Sequence, residues 1–264
     1  MVTSLAVWMG IVTVDSMNAL VDLRLDGLIA TITLNRPEAR NALSLPLINQ
    51  LHEVLAQIEG HTEAGVLLIK GAGKSFCAGM DLKGVMQDPQ EMAAMLHGLA
   101  KAFERIRRLP IPSFAVVQGA AVGGGCGLMI VCDFAISHPD AKIGYPEVDL
   151  GVCPAVVAPW LVRKIGAGKA RALLLSGGTR SGQEAQELGL LTHLVAQDQL
   201  DETAQKIAQD LSEGGGIAMQ ATKRWLNDLD GSMDHDLHEK AAQLSADVIA
   251  RKETQERLRS IFKA

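Results

Sequence analysis

Hydrophobic and polar positions near the start of the chain alternate with the period of a β-strand. Residues 21–25 and 30–35 show this alternation on either side of Asp26-Gly27. The Asp-Gly pair accepts the positive φ angles of a tight primed turn, and a half-buried strand alternates apolar with polar side chains. The pattern therefore predicts a β-hairpin that opens the folded part of the chain.

Helix-like and strand-like patterns then follow one another. Apolar residues recur at helical spacing after Ser44, a residue type that caps helices, and short continuous apolar runs are typical of buried strands. This alternation predicts an α/β protein. The predicted elements are, in order, a helix over residues 44–60, a strand over 65–70, a helix over 89–109, a strand over 113–118, and strands over 134–137 and around Ile143.

The strand signal nearly vanishes beyond Pro154, which predicts a helical end to the chain. Residues 1–17 precede the first folding pattern and are either an upstream extension of the reading frame or a mobile arm. The chain is thus divided into an extension at 1–17, an α/β core at 18–200 and a helical C-terminal region at 201–264. The helices predicted beyond Pro154 cover residues 156–165, 169–175, 181–188, 200–212, 217–229 and 234–262.

Composition limits the classes of function. The 264 residues are 48% hydrophobic, and the formal net charge of −5 argues against nucleic acid as a partner. The apolar run at residues 7–12 follows no basic residues and is too short to span a bilayer, so neither a signal peptide nor membrane insertion is expected. The four cysteines lack the paired spacing of metal ligands, which predicts reduced thiols and a cytoplasmic location.

The seven histidines are scattered, without cysteine or carboxylate partners at ligand spacing. We therefore expect no metal site. His235 and His238 share one helical face, but Asp234 and Asp236 stand beside them, and this pattern favours a solvated surface.

Glycine-rich segments follow two of the predicted strands, about forty residues apart. One is the loop at residues 71–83, and the other contains Gly123-Gly124-Gly125 at the start of a helical pattern. Alone, the triple glycine would indicate a turn with close helix packing. If the two junctions meet in space, however, their main-chain N–H groups could converge on one oxygen atom that acquires negative charge.

Five segments, taken together, resemble the crotonase superfamily, which is the enoyl-CoA hydratase and isomerase family. The resemblance extends over about residues 23–261. The segments are Leu34-Asn35-Arg36-Pro37 with Arg40-Asn41-Ala42-Leu43, Phe76-Cys77-Ala78-Gly79-Met80-Asp81-Leu82-Lys83, residues 119–127 with Cys132-Asp133, Gly144-Tyr145-Pro146-Glu147 before Leu150-Gly151, and Ser181-Gly182-Gln183-Glu184-Ala185 before Gly189-Leu190.

The resemblance implies a crotonase-like (ClpP/crotonase) spiral of ββα units with a helical C-terminal oligomerisation region, and a homotrimer or a dimer of trimers. It also implies a CoA thioester as the ligand, with CoA as part of the substrate and no separate cofactor. The thioester oxygen would be held by the N–H groups of Met80 and Gly124, and Glu147 would move the proton. Lys83 is explained equally well as a phosphate contact or as a solvated lysine. The substrate-binding positions carried over to this chain are Arg40, Ala42, Ala78, Met80, Asp81, Leu82, Lys83, Gly124, Gly127, Pro154 and Ala155.

One departure affects the expected reaction. Gly127 occupies the position at which the family often has a first glutamate, so Glu147 is the sole carboxylate of the family type. The segment around Pro154 and Ala155 looks like that of bacterial hydratases of the methylglutaconyl-CoA type, which act on branched or carboxylated substrates. We therefore predict an enoyl-CoA hydratase that works through an enolate. Two alternatives stay open: an isomerase that shifts a double bond with Glu147 alone, and a CoA-thioester-binding or scaffold protein without turnover.

Overall fold

The opening hairpin forms as the sequence predicts. The structure, a computed structural model, describes residues 12–13, 19–61, 63–85 and 88–262. Strands Val21–Asp26 and Ile29–Leu34 pair antiparallel, and Gly27 adopts a φ of 57° in the turn between them. Of the extension predicted at 1–17, only Val12 and Thr13 are described, and they pair with Leu25 and Arg24; the remainder lies outside the described residues.

The described strands form a large sheet and a small one. The large sheet has seven strands in the order β1-β2-β3-β4-β5-β7-β10, and from β3 onward each neighbouring pair is parallel. The small sheet has the order β6-β8-β9. The strands are β1 (Val12–Thr13), β2 (Val21–Asp26), β3 (Ile29–Leu34), β4 (Val66–Gly71), β5 (Ser113–Val117), β6 (Ala120–Val122), β7 (Phe134–Ser137), β8 (Lys142–Gly144), β9 (Thr179–Ser181) and β10 (His193–Leu194).

Helices connect and cover the strands. The first long helix has Ser44 as its N-cap and Gly60 as its C-cap, as the sequence predicts. The described helices are α1 (Leu45–Glu59), α2 (Leu82–Val85), α3 (Pro89–Arg108), α4 (Gly124–Val131), α5 (Ala158–Ile165), α6 (Ala167–Ser176), α7 (Gly182–Leu188), α8 (Leu200–Ser212), α9 (Gly216–Asp230), α10 (His235–Ala250) and α11 (Lys252–Phe262).

The large sheet is buried on both faces, which explains the continuous apolar runs of its strands. Ile32 and Ile69 belong to the main core, whereas Leu68 and Phe114 face a second cluster that includes Ala204 of α8. The boundary predicted at residue 200 therefore falls at the start of a helix that covers the sheet.

Three predicted features differ from the structure. Ala120–Val122 is a separate strand in the small sheet, so the triple glycine does not directly follow β5. Short strands β9 and β10 lie beyond Pro154, where few were expected. The single helix predicted over 234–262 is broken at Arg251, which is extended with a ψ of 139° and separates α10 from α11.

The prediction of a solvated surface at His235 and His238 is wrong for His238. Its side chain is 2% exposed, and its ring stacks on Trp160 with 4.4 Å between centroids. Nδ1 of His238 lies 2.9 Å from the carboxylate of Glu104, and the half-exposed His235 lies 3.1 Å from the same group. Helix α10 packs on α3, and this contact buries the side chain of His238 although acidic residues lie beside it in the sequence.

Candidate active site

The two glycine-rich loops meet through main-chain hydrogen bonds. The Cys77 N–H donates to the Ala120 oxygen at 2.9 Å, and the Val122 N–H donates to the Cys77 oxygen at 3.0 Å. This bridge joins the loop after β4 to strand β6, just before α4 begins. The prediction that the two junctions meet in space is confirmed.

Gly79 allows the close approach of the two loops. Its φ is 90°, a region that residues with a side chain rarely adopt. A Cβ at this position would lie 2.7 Å from the Val122 oxygen and 3.6 Å from the Gly124 nitrogen. The loops can therefore touch only because residue 79 has no side chain.

Two main-chain N–H groups, those of Met80 and Gly124, flank this contact. The Leu43 N–H donates to the main-chain oxygen of Gly79, and the Asp81 N–H donates to the main-chain oxygen of Leu43. Leu43 therefore pairs with one edge of the extended segment at residues 79–81. In such a parallel bridge, the N–H of Met80 points to the opposite side. Gly124 is the first residue of α4, and its N–H therefore has no partner within the helix.

A cavity of about 650 Å³ lies against these two groups. Arg40, Ala42, Ala78, Met80, Asp81, Leu82, Lys83, Gly124, Glu147 and Pro154 line it, all of them predicted from the sequence. Gly127 and Ala155 do not line it. The sequence did not indicate the apolar part of the lining, because Leu96, Leu99, Val156 and Val157 carry only the pattern expected of core residues.

Glu147 brings a carboxyl group into this cavity. It follows Pro146 and precedes a 3₁₀ turn over Val148–Leu150, and a Cβ placed on Gly123 would lie 2.9 Å from its Oε1. Burial, reinforced by the nearby charge of Asp149, raises the pKa of Glu147 to about 7. Among the described residues, no hydrogen-bond partner is found for its buried Oε2. A carboxyl group in this state can accept and return a proton near neutral pH.

The segment after Glu147 is held by the C-terminal helices. The Val152 N–H donates to the main-chain carbonyl oxygen of Glu147 at 2.8 Å and closes the turn. Arg257 of α11 donates to the main-chain carbonyl oxygen of Asp149, from Nη2 at 2.8 Å and from Nε at 3.2 Å. Ser245 of α10 donates to the Cys153 oxygen at 2.9 Å. Residues distant in sequence therefore fix the wall that contains the carboxyl group.

Gly127 lies behind the cavity wall rather than in it. A Cβ at this position would lie 2.6 Å from Cγ1 of Val157 and 2.8 Å from the ring of Phe103. Val157 lines the cavity on its other side. Apolar side chains therefore fill the space that a second carboxylate would need.

Ala155 belongs to a neighbouring groove of about 980 Å³. The groove is apolar, and Val152, Cys153 and Pro154 form a wall shared with the first cavity. Pro154 therefore lines both spaces, whereas Ala155 lines only the groove.

The described part of the chain offers no support for a metal site or a membrane span. No cluster of three or more His, Cys, Asp or Glu residues suitable for a metal ion was found there. Nor does any helix in that part combine the length and the apolar character that a membrane crossing requires.

The fold and the cavity define an enzyme of the crotonase type, in which the two glycine-rich loops and a buried carboxyl group line one cavity. The model of the enoyl-CoA hydratase/isomerase family matches residues 25–262, and the chain belongs to this family. The predicted crotonase-like α/β fold is thereby confirmed. The relatives named below do not show methylglutaconyl-CoA as the substrate type.

Named relatives and a solved structure agree with this assignment. The chain is 33% identical over 206 residues to the short-chain-enoyl-CoA hydratase of Clostridium acetobutylicum, covering 76% of this chain and 78% of the relative. It is 34% identical over 197 residues to the 2,3-dehydroadipyl-CoA hydratase of Escherichia coli, covering 74% and 76%. A crystal structure of an enoyl-CoA hydratase/isomerase from Mycobacterium paratuberculosis superimposes with a TM-score of 0.84 at 28% identity, covering 93% of this chain and 100% of that one.

Proposed function

We propose that the protein is a hydratase that adds water to the double bond of a 2-enoyl-CoA. This proposal rests on the Glu147 carboxyl group, whose pKa is raised to about 7 by burial. The carboxyl group lines the same cavity as Met80 and Gly124, the residues of the two loops whose N–H groups are the candidate donors. Family membership and the hydratase names of relatives support the reaction class.

In the proposed reaction, the Met80 and Gly124 N–H groups bind the thioester oxygen. The Glu147 carboxylate takes a proton from water while the water oxygen bonds to C3. The electron pair of the C2–C3 double bond moves to form an enolate, whose negative oxygen is stabilised by the two donors. Glu147 then returns the proton to C2, which restores both the thioester carbonyl and the carboxylate. Only CoA, as part of the substrate, is required.

The CoA part of the substrate is assigned to the more exposed end of the cavity. Arg40 and Lys83 are exposed there and carry positive charge, whereas Asp81 pairs with Arg36 at 2.6 Å. Ala42, Ala78 and Leu82 line the same end without charge. We assign these residues to the binding of CoA.

An isomerase is the alternative that the site supports. Gly127 supplies no second carboxylate, and the adjoining space is filled by Val157 and Phe103. One carboxyl group suffices to remove a proton from C2 of a 3-enoyl-CoA and return it at C4, with no change in mass. A protein that binds CoA thioesters without turnover is the third candidate.

Product analysis separates these functions. Crotonyl-CoA, 3-methylglutaconyl-CoA and a 3-enoyl-CoA are incubated with the protein, while the enoyl absorbance and the product mass are followed. Gain of one water by a 2-enoyl-CoA supports the hydratase. A shifted double bond without mass gain would instead identify an isomerase, and binding without conversion would identify a binding protein.

We also propose a homotrimer or a dimer of trimers. The apolar groove described above is bordered by Val162, Leu175 and Leu244, which are 42%, 68% and 50% exposed. Large exposed apolar patches are typical of interaction sites. Light scattering coupled to size-exclusion chromatography measures the mass in solution, and a monomer at micromolar concentration would contradict this assembly.

A further inference from the structure

The cavity changes in chemical character from its mouth to its interior. Arg40 and Lys83, at one end, are exposed to solvent. At the other end lie four apolar side chains with exposures of 5% or less: Leu96, Leu99, Val156 and Val157. Among the described residues that line this inner part, none carries a positive charge.

Behind the inner part of the cavity, Val157 and Phe103 fill the space beside Gly127, and we define this pair as the apolar plug. Both side chains lie within 3 Å of the position that a Cβ on Gly127 would occupy. Phe103 is fully buried behind the wall, and Val157 separates Gly127 from the cavity. No polar side chain can therefore reach the acyl group from position 127.

A carboxylate at the far end of the acyl chain would meet an unfavourable environment here. It would leave water without gaining a cation, and it would lie in the same cavity as Glu147, which is itself destabilised as an anion. Arg36 is the least exposed of the cationic residues described in the cavity lining, and it already pairs with Asp81. The end of an uncharged acyl chain, in contrast, would contact the apolar side chains of the inner part.

We propose that the acyl group of the substrate is uncharged and that Val157 limits its size. This inference rests on the proposed hydratase function and identifies the substrate class of the same site. It favours substrates like that named for the Clostridium acetobutylicum relative over the dicarboxylic acyl group named for the Escherichia coli relative. It also argues against the carboxylated substrate suggested by the segment around Pro154 and Ala155.

The first test compares kcat/KM for crotonyl-CoA, 2-hexenoyl-CoA, 3-methylglutaconyl-CoA and 2,3-dehydroadipyl-CoA. We expect the uncharged substrates to exceed the carboxylated ones by at least about 100-fold, because a carboxylate buried near Glu147 gains no cation in exchange for its hydration. A carboxylated substrate that equals or exceeds crotonyl-CoA would overturn the proposal, although the hydratase function would stand.

A binding measurement separates failure of the inference from failure of the hydratase function. Butyryl-CoA and glutaryl-CoA differ at the acyl end and undergo no hydration, so calorimetry measures acyl preference without turnover. Tighter binding of butyryl-CoA is expected. If glutaryl-CoA binds more tightly, the inference is wrong. If butyryl-CoA binds more tightly but no 2-enoyl-CoA gains water, the hydratase function fails and the preference for an uncharged acyl group stands.

Val157→Ala tests the size limit, with Val156→Ala as the matched control. Both residues line the cavity, but Val157 is the one in contact with Gly127. Val157→Ala should raise the ratio of kcat/KM for 2-hexenoyl-CoA over crotonyl-CoA by about tenfold, within the range for one or two methylenes in an apolar pocket. The ratio is independent of the fraction of folded enzyme. An unchanged ratio, or an equal rise in Val156→Ala, would remove Val157 as the limiting residue.

Discussion

The two walls of the cavity are built in different ways. One wall is main chain: the loop at Gly79-Met80 contacts the start of α4 at Gly124, and the groups that we propose to bind the substrate are N–H donors. The other wall is formed by side chains, with Glu147 on a turn that Arg257 holds from the end of the chain. A substrate oxygen bound at the main-chain wall would contact N–H dipoles that the fold holds in place. At the side-chain wall, the titratable carboxyl group of Glu147 can accept or donate a proton.

This difference separates what each wall contributes to the reaction. Main-chain donors are oriented by the fold and cannot be removed by truncating a side chain. The Glu147 carboxyl group can be replaced directly, and its proton affinity depends on how well the turn excludes water. Substitutions on the two walls should therefore have distinguishable effects.

Glu147→Gln should have the largest effect on turnover. Glutamine keeps the size of the side chain but cannot accept a proton, so kcat should fall by about 10²–10⁴-fold. Binding of butyryl-CoA should change little, because the main-chain wall is untouched. Stopped-flow absorbance measures turnover and calorimetry measures binding. A variant with normal kcat would show that Glu147 is not the proton-transferring group.

Gly124→Pro tests the main-chain wall by deleting one N–H donor. Proline is tolerated at the first position of a helix, so α4 should survive. Gly124→Ala is the matched control: it adds a Cβ 2.9 Å from Cδ2 of Leu99 but keeps the N–H. We expect kcat of the proline variant to be lower than that of the alanine variant by about 10²–10³-fold. Equal rates in the two folded variants would exclude Gly124 as a donor.

Glu147→Gln should stabilise the folded protein above neutral pH, although it lowers turnover. Because the pKa of Glu147 is raised from 4.5 to about 7, the native state binds more protons than the unfolded state between these values, and stability falls as pH rises through this window. Glu147→Gln removes this loss. At about pH 8 the variant should be more stable than the native protein by up to about 3 kcal/mol, and at low pH the difference should vanish. Urea unfolding at both pH values measures it; a variant less stable at the higher pH would contradict the burial of this anion.

Arg257→Ala should produce the smallest effect. Loss of the hydrogen bond to the main-chain oxygen of Asp149 should loosen the turn after Glu147 and admit water to the carboxyl group. The pKa of Glu147 should then fall from about 7 toward 4.5. The acidic limb of the kcat/KM profile should move to lower pH, with kcat reduced by about tenfold or less. Arg257→Lys should restore part of the profile, and Arg259→Ala, an exposed change on the same helix, should not alter it. An unmoved limb in Arg257→Ala would show that α11 does not position Glu147.

Local signals predicted the main-chain wall and much of the fold. The hairpin at Asp26-Gly27, the caps of α1 and the two glycine-rich loops each depend on neighbouring residues. Strand β6 was not predicted, because its three residues, Ala120–Val122, merge with the adjoining apolar and glycine-rich pattern. Its pairing with β8 is a tertiary contact that no local pattern records.

The side-chain wall was only partly predictable. Glu147 was identified by its motif, but Arg257 and Ser245 contribute through hydrogen bonds to residues about one hundred positions away. The break at Arg251 that lets α11 fold back has neither glycine nor proline as a signal. The local pattern also fails to predict the burial of His238, because its partner Glu104 belongs to a helix far away in sequence.

The pH dependence of kcat/KM on crotonyl-CoA tests most directly whether Glu147 carries the proton transfer. A carboxylate that must be ionised to accept a proton predicts a plateau above about pH 7 and a tenfold fall for each unit below it. Glu147→Gln should retain only a low rate without this limb. A flat profile in the native protein from about pH 5 to about pH 8, or the same limb in the glutamine variant, would contradict the assignment.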